Sequence, residues 1–147
     1  MIDCIRGTPK IMQPPARMVI ENSWAVEIED REETRKIKDE FAKPENSNFV
    51  DKLLIGLNPK GSKAKGLHRS RFGELCQAAG VTQLGIGDRP GYVASHFYTC
   101  AFLLEPTILL DGEVLFDRGW PVVFDDPRVK EIAARYGDPE QVLARIP

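Results

Sequence analysis

Apolar and polar residues alternate through two early runs, RMVIE and WAVEIE, and Glu21-Asn22-Ser23 between them has the chemistry of a turn. The pattern predicts a β-hairpin preceded by an extended, proline-bearing lead over residues 1–16. From Asp30 the period lengthens. Asp30 can cap a helix, Glu33 completes a capping box, Ile37 and Phe41 fall four apart, and Pro44 follows the end. This predicts a one-sided helix of about three turns laid on a sheet, with Glu32 and Lys36 as an exposed pair. FVDKLLIGLNP then reads as an apolar strand that turns before Pro59.

Between Lys60 and Arg71 the chain carries five Lys or Arg residues and no acid, which predicts a polar, flexible excursion. Ser70 can cap a short helix whose Phe72, Leu75, Cys76 and Ala79 share one side, with Gly80 as its stop and Cys76 as a small core residue. VTQLGIGDRPGYVASHFYTCAFL divides into two strands at Asp88-Arg89-Pro90-Gly91, and TILL and EVLF flank a hairpin turn at Asp111-Gly112. Asp126, Pro127, Val129, Ile132, Ala133, Tyr136 and Gly137 describe a capped amphipathic helix, and Asp138-Pro139 opens a last turn that offers Val142, Leu143 and Ile146 to a core. Strands outnumber helices and no long crossover recurs. The expected class is α+β (mixed α/β): a hairpin-rich mixed sheet covered by a few short amphipathic helices, in a single domain over residues 17–147.

Composition narrows the function classes. In 147 residues, 20 Lys and Arg stand against 22 Asp and Glu, so the chain has no global field for gathering polyanions. The basic run around His68 lacks interleaved aromatics, which argues against a nucleic-acid partner. Cys4, Cys76 and Cys100 lack metal-knuckle spacing and leave an odd thiol, and neither a signal peptide nor a long apolar span appears; a cytoplasmic protein with no membrane partner is expected. With only His68 and His96, a site of three histidines cannot be built in one chain.

GIGDRPG has closely spaced glycines but no phosphate-binding lysine and no following helix, so Gly85 and Gly87 are read as points of close backbone approach and Gly91 as part of a turn. SHFYTC is the most suggestive segment. If extended, it projects His96, Tyr98 and Cys100 onto one face, where an imidazole can shuttle a proton, a phenol can donate to developing negative charge, and a thiolate can attack. Asp88 and Arg89 can pair or face a ligand, Glu105 is read as a surface carboxylate, and Trp24 and Trp120 as anchors near hairpins.

Five stretches, WAVEIED, LLIGLNPKG, LGIGDRPG, the SHFY segment and EPTILLDGEVLFDRG, follow one another between about Arg17 and Phe124. As an ordered set they resemble the carboxy-terminal domain of the thermophilic metallo-aminopeptidase and 2,5-dihydroxypyridine 5,6-dioxygenase family. The resemblance implies a stand-alone relative of that domain, a homodimer, and a cleft that in the family holds a divalent metal for peptide hydrolysis or for oxidative ring opening at non-haem iron.

Residue by residue, the family's metal-associated glutamate before the LIGLNP stretch is Lys52 here, its histidine before the LGIGD turn is Gln83, and its His-x-Asp pair is His96 and Tyr98. Glu74 aligns near a second metal-associated glutamate. The metal site therefore reads as degenerate, with no metal and no cofactor expected. The function expected is a metal-independent enzyme acting on a small organic acid or amide by acid–base chemistry in a remodelled family cleft. Lys52 serves as cation, His96 as proton shuttle and Tyr98 as hydrogen-bond donor, with Gln83, Asp88, Arg89, Cys100 and Glu74 at the ligand. The partners expected are a small anionic or amide-containing molecule and a second copy of the chain. Two alternatives stand beside this: a non-catalytic small-molecule or protein-interaction module, and a metal-dependent aminopeptidase-like hydrolase or ring-cleaving dioxygenase with atypical ligands.

Overall fold

The structure is a computed structural model that describes residues 1–6, 11–43, 46–68 and 72–146, with only the backbone described at His68 and Phe72. The chain makes two compact units, the first from Met1–Leu54 and Gln83–Leu103, the second from Ile55–Thr82 and Leu104–Pro147. The lead expected over residues 1–16 and the domain expected over 17–147 do not coincide with them. The fold is mixed α/β, with several short helices and antiparallel sheets.

The first unit carries β1 (Cys4–Ile5), β2 (Met18–Glu21), β3 (Trp24–Ile28), α1 (Glu32–Phe41), β4 (Val50–Ile55), β5 (Thr82–Arg89) and β6 (Val93–Leu103). One four-stranded sheet has the order β1-β6-β5-β4, and β2-β3 forms a separate hairpin. As the alternation predicts, that hairpin closes through Asn22 and Ser23, both at positive φ, with Glu21 opposite Trp24. The amide of Gly87 donates to the carbonyl of Phe49 (2.7 Å) and that of Gly56 to the carbonyl of Val81 (2.8 Å), so β4 and β5 run in opposite directions.

The segment read as an extended lead supplies core. Ile2 and Ala16 exchange backbone hydrogen bonds of 2.7 and 2.8 Å, and Ile2, Ile5, Met12 and Ala16 bury with Ile28, Ile37, Ile86 and Ala101. Prolines hid this role, because the segment closes on itself through a bridge and never shows a period. Helix α1 also starts one residue later than expected. Arg31 is its cap residue and Thr34, not Glu33, reaches back: the buried Thr34 hydroxyl accepts from the Arg31 amide at 3.0 Å and donates to the Glu29 carbonyl at 2.5 Å. Asp30 is left to pair with Lys38 at 2.8 Å.

Gly87 shows why β5 and β6 need a residue without a side chain. Its φ is +102°, and a Cβ there would run into the carbonyl of Phe97 on β6.

The second unit carries α2 (Lys63–His68), α3 (Phe72–Leu75), β7 (Ile108–Leu110), β8 (Glu113–Asp117), β9 (Trp120–Pro121), a 3-10 turn over Val122–Asp125, α4 (Pro127–Ala133) and α5 (Pro139–Val142). Strands β7, β8 and β9 form an antiparallel sheet, its first turn made by Asp111 and Gly112 at positive φ as the sequence predicts. The excursion after Lys60 is helical rather than irregular, since Ser62 accepts the Lys65 amide (3.2 Å) as a cap and starts α2. Ser70 lies outside the described residues. Cys76 is half-buried rather than a core residue, because α3 ends at Leu75 and its thiol turns to the Gly73 carbonyl (3.3 Å).

Helix α4 has the expected cap, with Asp126 accepting the Arg128 amide at 2.8 Å and Pro127 in the first turn. Its buried face is narrower than the pattern suggests: Ala133 is buried, while Ile132 and Tyr136 are exposed, since the helix stops at Ala133 and Tyr136 lies beyond it. Trp120 packs edge-on against Phe124 and donates to Asp125 at 2.8 Å, and Trp24 packs edge-on against Phe49. Glu105 is exposed and pairs with Lys63 at 2.5 Å, which holds its carboxyl below the usual range.

Two outcomes follow from these contacts. Gly87→Ala is expected to destabilise the first unit by about 2 kcal/mol or more, read by denaturant unfolding, because the new methyl meets backbone at a left-handed φ. The Arg128 side chain, then its amide, hold the Asp126 carboxyl down from 3.8 to about 2. A depressed carboxyl stabilises the fold above its unfolded value, and the effect is lost as pH falls through the folded value. The melting-temperature gap between wild type and Asp126→Asn is therefore expected to be full at pH 6 and to shrink from about pH 4 towards pH 2, followed by circular dichroism.

Candidate functional site

Strands β4, β5 and β6 lie side by side, and the residues singled out on them come from all three: Lys52 from β4, Gln83 from β5, Tyr98 and Cys100 from β6. Neighbouring strands are about 4.8 Å apart, so a β4 side chain reaches β6 only across an unobstructed β5. Gly85 leaves that path clear. A Cβ on Gly85 would strike Oδ1 of Asp51 and lie 2.8 Å from both Cγ and Cε of Lys52. The lysine stem thus crosses bare backbone and brings its Nζ to 5.1 Å from the centroid of the Tyr98 ring.

A chain of hydrogen bonds continues from there. Gln83 Nε2 donates to Cys100 Sγ at 3.0 Å, and the Cys100 thiol donates to Tyr98 Oη at 3.3 Å. Gln83 and Cys100 are buried, so the first of these bonds forms away from water, while the second ends on the exposed Tyr98. Hydrogen bonding with Tyr98 raises the Lys52 ammonium above its ordinary value, and burial, followed by the bond with Cys100, raises the Tyr98 phenol above its own. Near neutral pH the pair is therefore ammonium and neutral phenol. With Cys100 donating to its oxygen, Tyr98 has its own hydroxyl hydrogen left to give onward.

What it can give to is a cavity of about 560 Å³ lined by Asp51, Lys52, Asp88, Arg89, Pro90 and Tyr98. The size suits a small organic molecule. Arg89 is held over the Tyr92 ring (4.3 Å to the centroid) and donates to the backbone carbonyl of Asp51 at 3.2 Å; Asp88 Oδ1 accepts the Ser95 amide at 3.2 Å. The Asp51 side chain is only 4% exposed. Its Oδ1 has no hydrogen-bond partner among the described residues.

Lys52, Tyr98, Gln83 and Cys100 thus form one connected group, and Asp88 and Arg89 line the same cavity as Lys52 and Tyr98. His96 does not join them. It shares the exposed alternation of Tyr98, but its Nε2 lies 2.9 Å from Glu40 Oε2 on α1, and it is not among the residues lining the cavity. Glu40, held below the usual carboxylate range by Lys43 and then His96, is the anion that captures the imidazole. Glu74 belongs to the second unit, on α3. Asp51 is the residue that sequence reasoning missed, although an acid inside an apolar strand run was a visible signal.

No protein-family model, curated protein or solved structure shows significant similarity to the chain. Among the described residues no group of three His, Cys, Asp or Glu is placed to hold a metal ion. In the connected group the Lys52 ammonium stands beside the Tyr98 phenol, a neighbour that disfavours a divalent cation there.

The arrangement has a spectroscopic consequence. Lys52 opposes the upward pull on the Tyr98 phenol, so Lys52→Met is expected to push the phenol still higher. Absorbance titration near 295 nm, with Tyr98→Phe subtracted to isolate this phenol from Tyr92 and Tyr136, is expected to show Tyr98 ionising above 10.0 in wild type and later still in the variant.

Proposed function

We propose that the chain is a metal-independent enzyme that binds a small organic acid or amide in the Lys52–Tyr98 cavity, the remodelled cleft of a domain like that of the metallo-aminopeptidase and dihydroxypyridine dioxygenase family. The supporting observation is that an ammonium and a phenol with its hydroxyl hydrogen left to donate stand together on one wall of a ligand-sized cavity. Two such donors suit an oxygen that gains negative charge during reaction, whether an enolate or a tetrahedral oxyanion. For enolate formation, the C–H proton passes to the Asp88 carboxylate while its electron pair moves to the carbonyl oxygen, which Lys52 and Tyr98 receive. His96, engaged with Glu40, stands outside this scheme.

Calorimetric titration with a panel of small carboxylates and amides tests the reading, with turnover followed by proton NMR in deuterated buffer. Lys52→Ala is expected to weaken binding by about tenfold or more, a charged hydrogen bond being lost. Tyr98→Phe is expected to leave binding within about threefold and to slow turnover by about a hundredfold. His96→Ala is expected to change neither. Binding and turnover untouched by Lys52→Ala and Tyr98→Phe would overturn the proposal, and Lys52-dependent binding without turnover of any member would make the chain a binding module.

A further inference from the structure

Asp51 has no part in the scheme above, yet it lines the cavity with a buried oxygen that lacks a hydrogen-bond partner among the described residues. Its carboxylate is nine-tenths buried and more, and a buried acceptor without a partner is destabilising. Its neighbours do not satisfy it. Lys52 Nζ stands 4.0 Å from Oδ2, beyond hydrogen-bond distance, and is engaged with Tyr98; Arg89 spends its hydrogen bond on the backbone carbonyl of Asp51, not on the carboxylate. The fold nevertheless makes room for the group, since Gly85 is bare where Oδ1 sits. Asp51 lines the cavity, so a donor carried by a bound molecule can approach its carboxylate from that side.

Charge points the same way. The cavity sets the cations Lys52 and Arg89 against the carboxylates Asp51 and Asp88, so a bare anion gains little from the sum of the four. A molecule that meets the cations with its carboxylate and the carboxylates with a donor gains from both.

We propose that Asp51 determines the specificity of this cavity by accepting an N–H or O–H from the bound molecule, which makes the ligand class a small carboxylate with a second, hydrogen-donating group: a hydroxy acid or an acid amide. This rests on the small-acid reading of the cavity and narrows it.

Matched probes test it on the whole chain by calorimetry or NMR titration: propionate against lactate, and 3-methylbutyrate against malonamate, each pair similar in shape and differing in the donor. Wild type is expected to prefer the donor-bearing member of at least one pair by about tenfold or more, the range of a hydrogen bond to a charged group. Asp51→Asn is expected to bring that ratio to within about threefold while propionate binds at least as tightly as to wild type, one opposing negative charge being gone. No preference in either pair, with propionate binding still lost in Lys52→Ala, would overturn the role of Asp51 and leave the small-acid reading standing. No binding of any probe would overturn both. If Asp51→Asn does not fold, the same ratios in Asp51→Ser decide the matter, and a preference that survives intact in a folded Asp51 variant would also overturn the assignment.

Discussion

The candidate site depends on a missing side chain. Lys52 and Tyr98 are separated by a whole strand, and in an ordinary sheet the intervening residue would fill the space between them. Gly85 removes that obstacle, and the same bare backbone accommodates the Asp51 carboxylate. Without it there would be no ammonium beside the phenol and no room for a buried acid in the wall. Gly87, two residues on, does related work on the other side of β5, letting the carbonyl of Phe97 approach. The short LGIG stretch is therefore a device for close approach between strands, and the chemistry is displayed by the strands on either side of it.

Much of this was legible in the chain. Two-residue turns at Asn22-Ser23 and Asp111-Gly112 announce themselves because few residues accept a left-handed backbone, and Asp126-Pro127 announces a helix start because a carboxylate and a ring with no amide both suit free backbone donors. Local chemistry fixes such features, and sequence records local chemistry. The elements read less well are settled by distant groups. Thr34 displaces Glu33 at the head of α1 because its hydroxyl also meets the Glu29 carbonyl, and Ile2, Ile5, Met12 and Ala16 join the core where Ile2 and Ala16 find each other.

The site divides along the same line. Alternation puts His96, Tyr98 and Cys100 on one face of β6, where the first two are exposed and the third is buried, but alternation says nothing about which neighbour a long side chain will meet. Glu40 on α1 meets the imidazole, while the cation arriving from β4 meets the phenol. Asp51 is an acid inside an apolar strand run, and its burial becomes visible only once Gly85 is seen beneath it.

The relay from Gln83 through Cys100 to Tyr98 also has a geometric consequence. An amide anchored on the middle strand orients a thiol, and the thiol occupies one lone pair of the phenol, so the phenol's hydroxyl has a fixed bearing rather than a free rotor. The direction in which Tyr98 can donate is thus set by two buried side chains that do not themselves line the cavity.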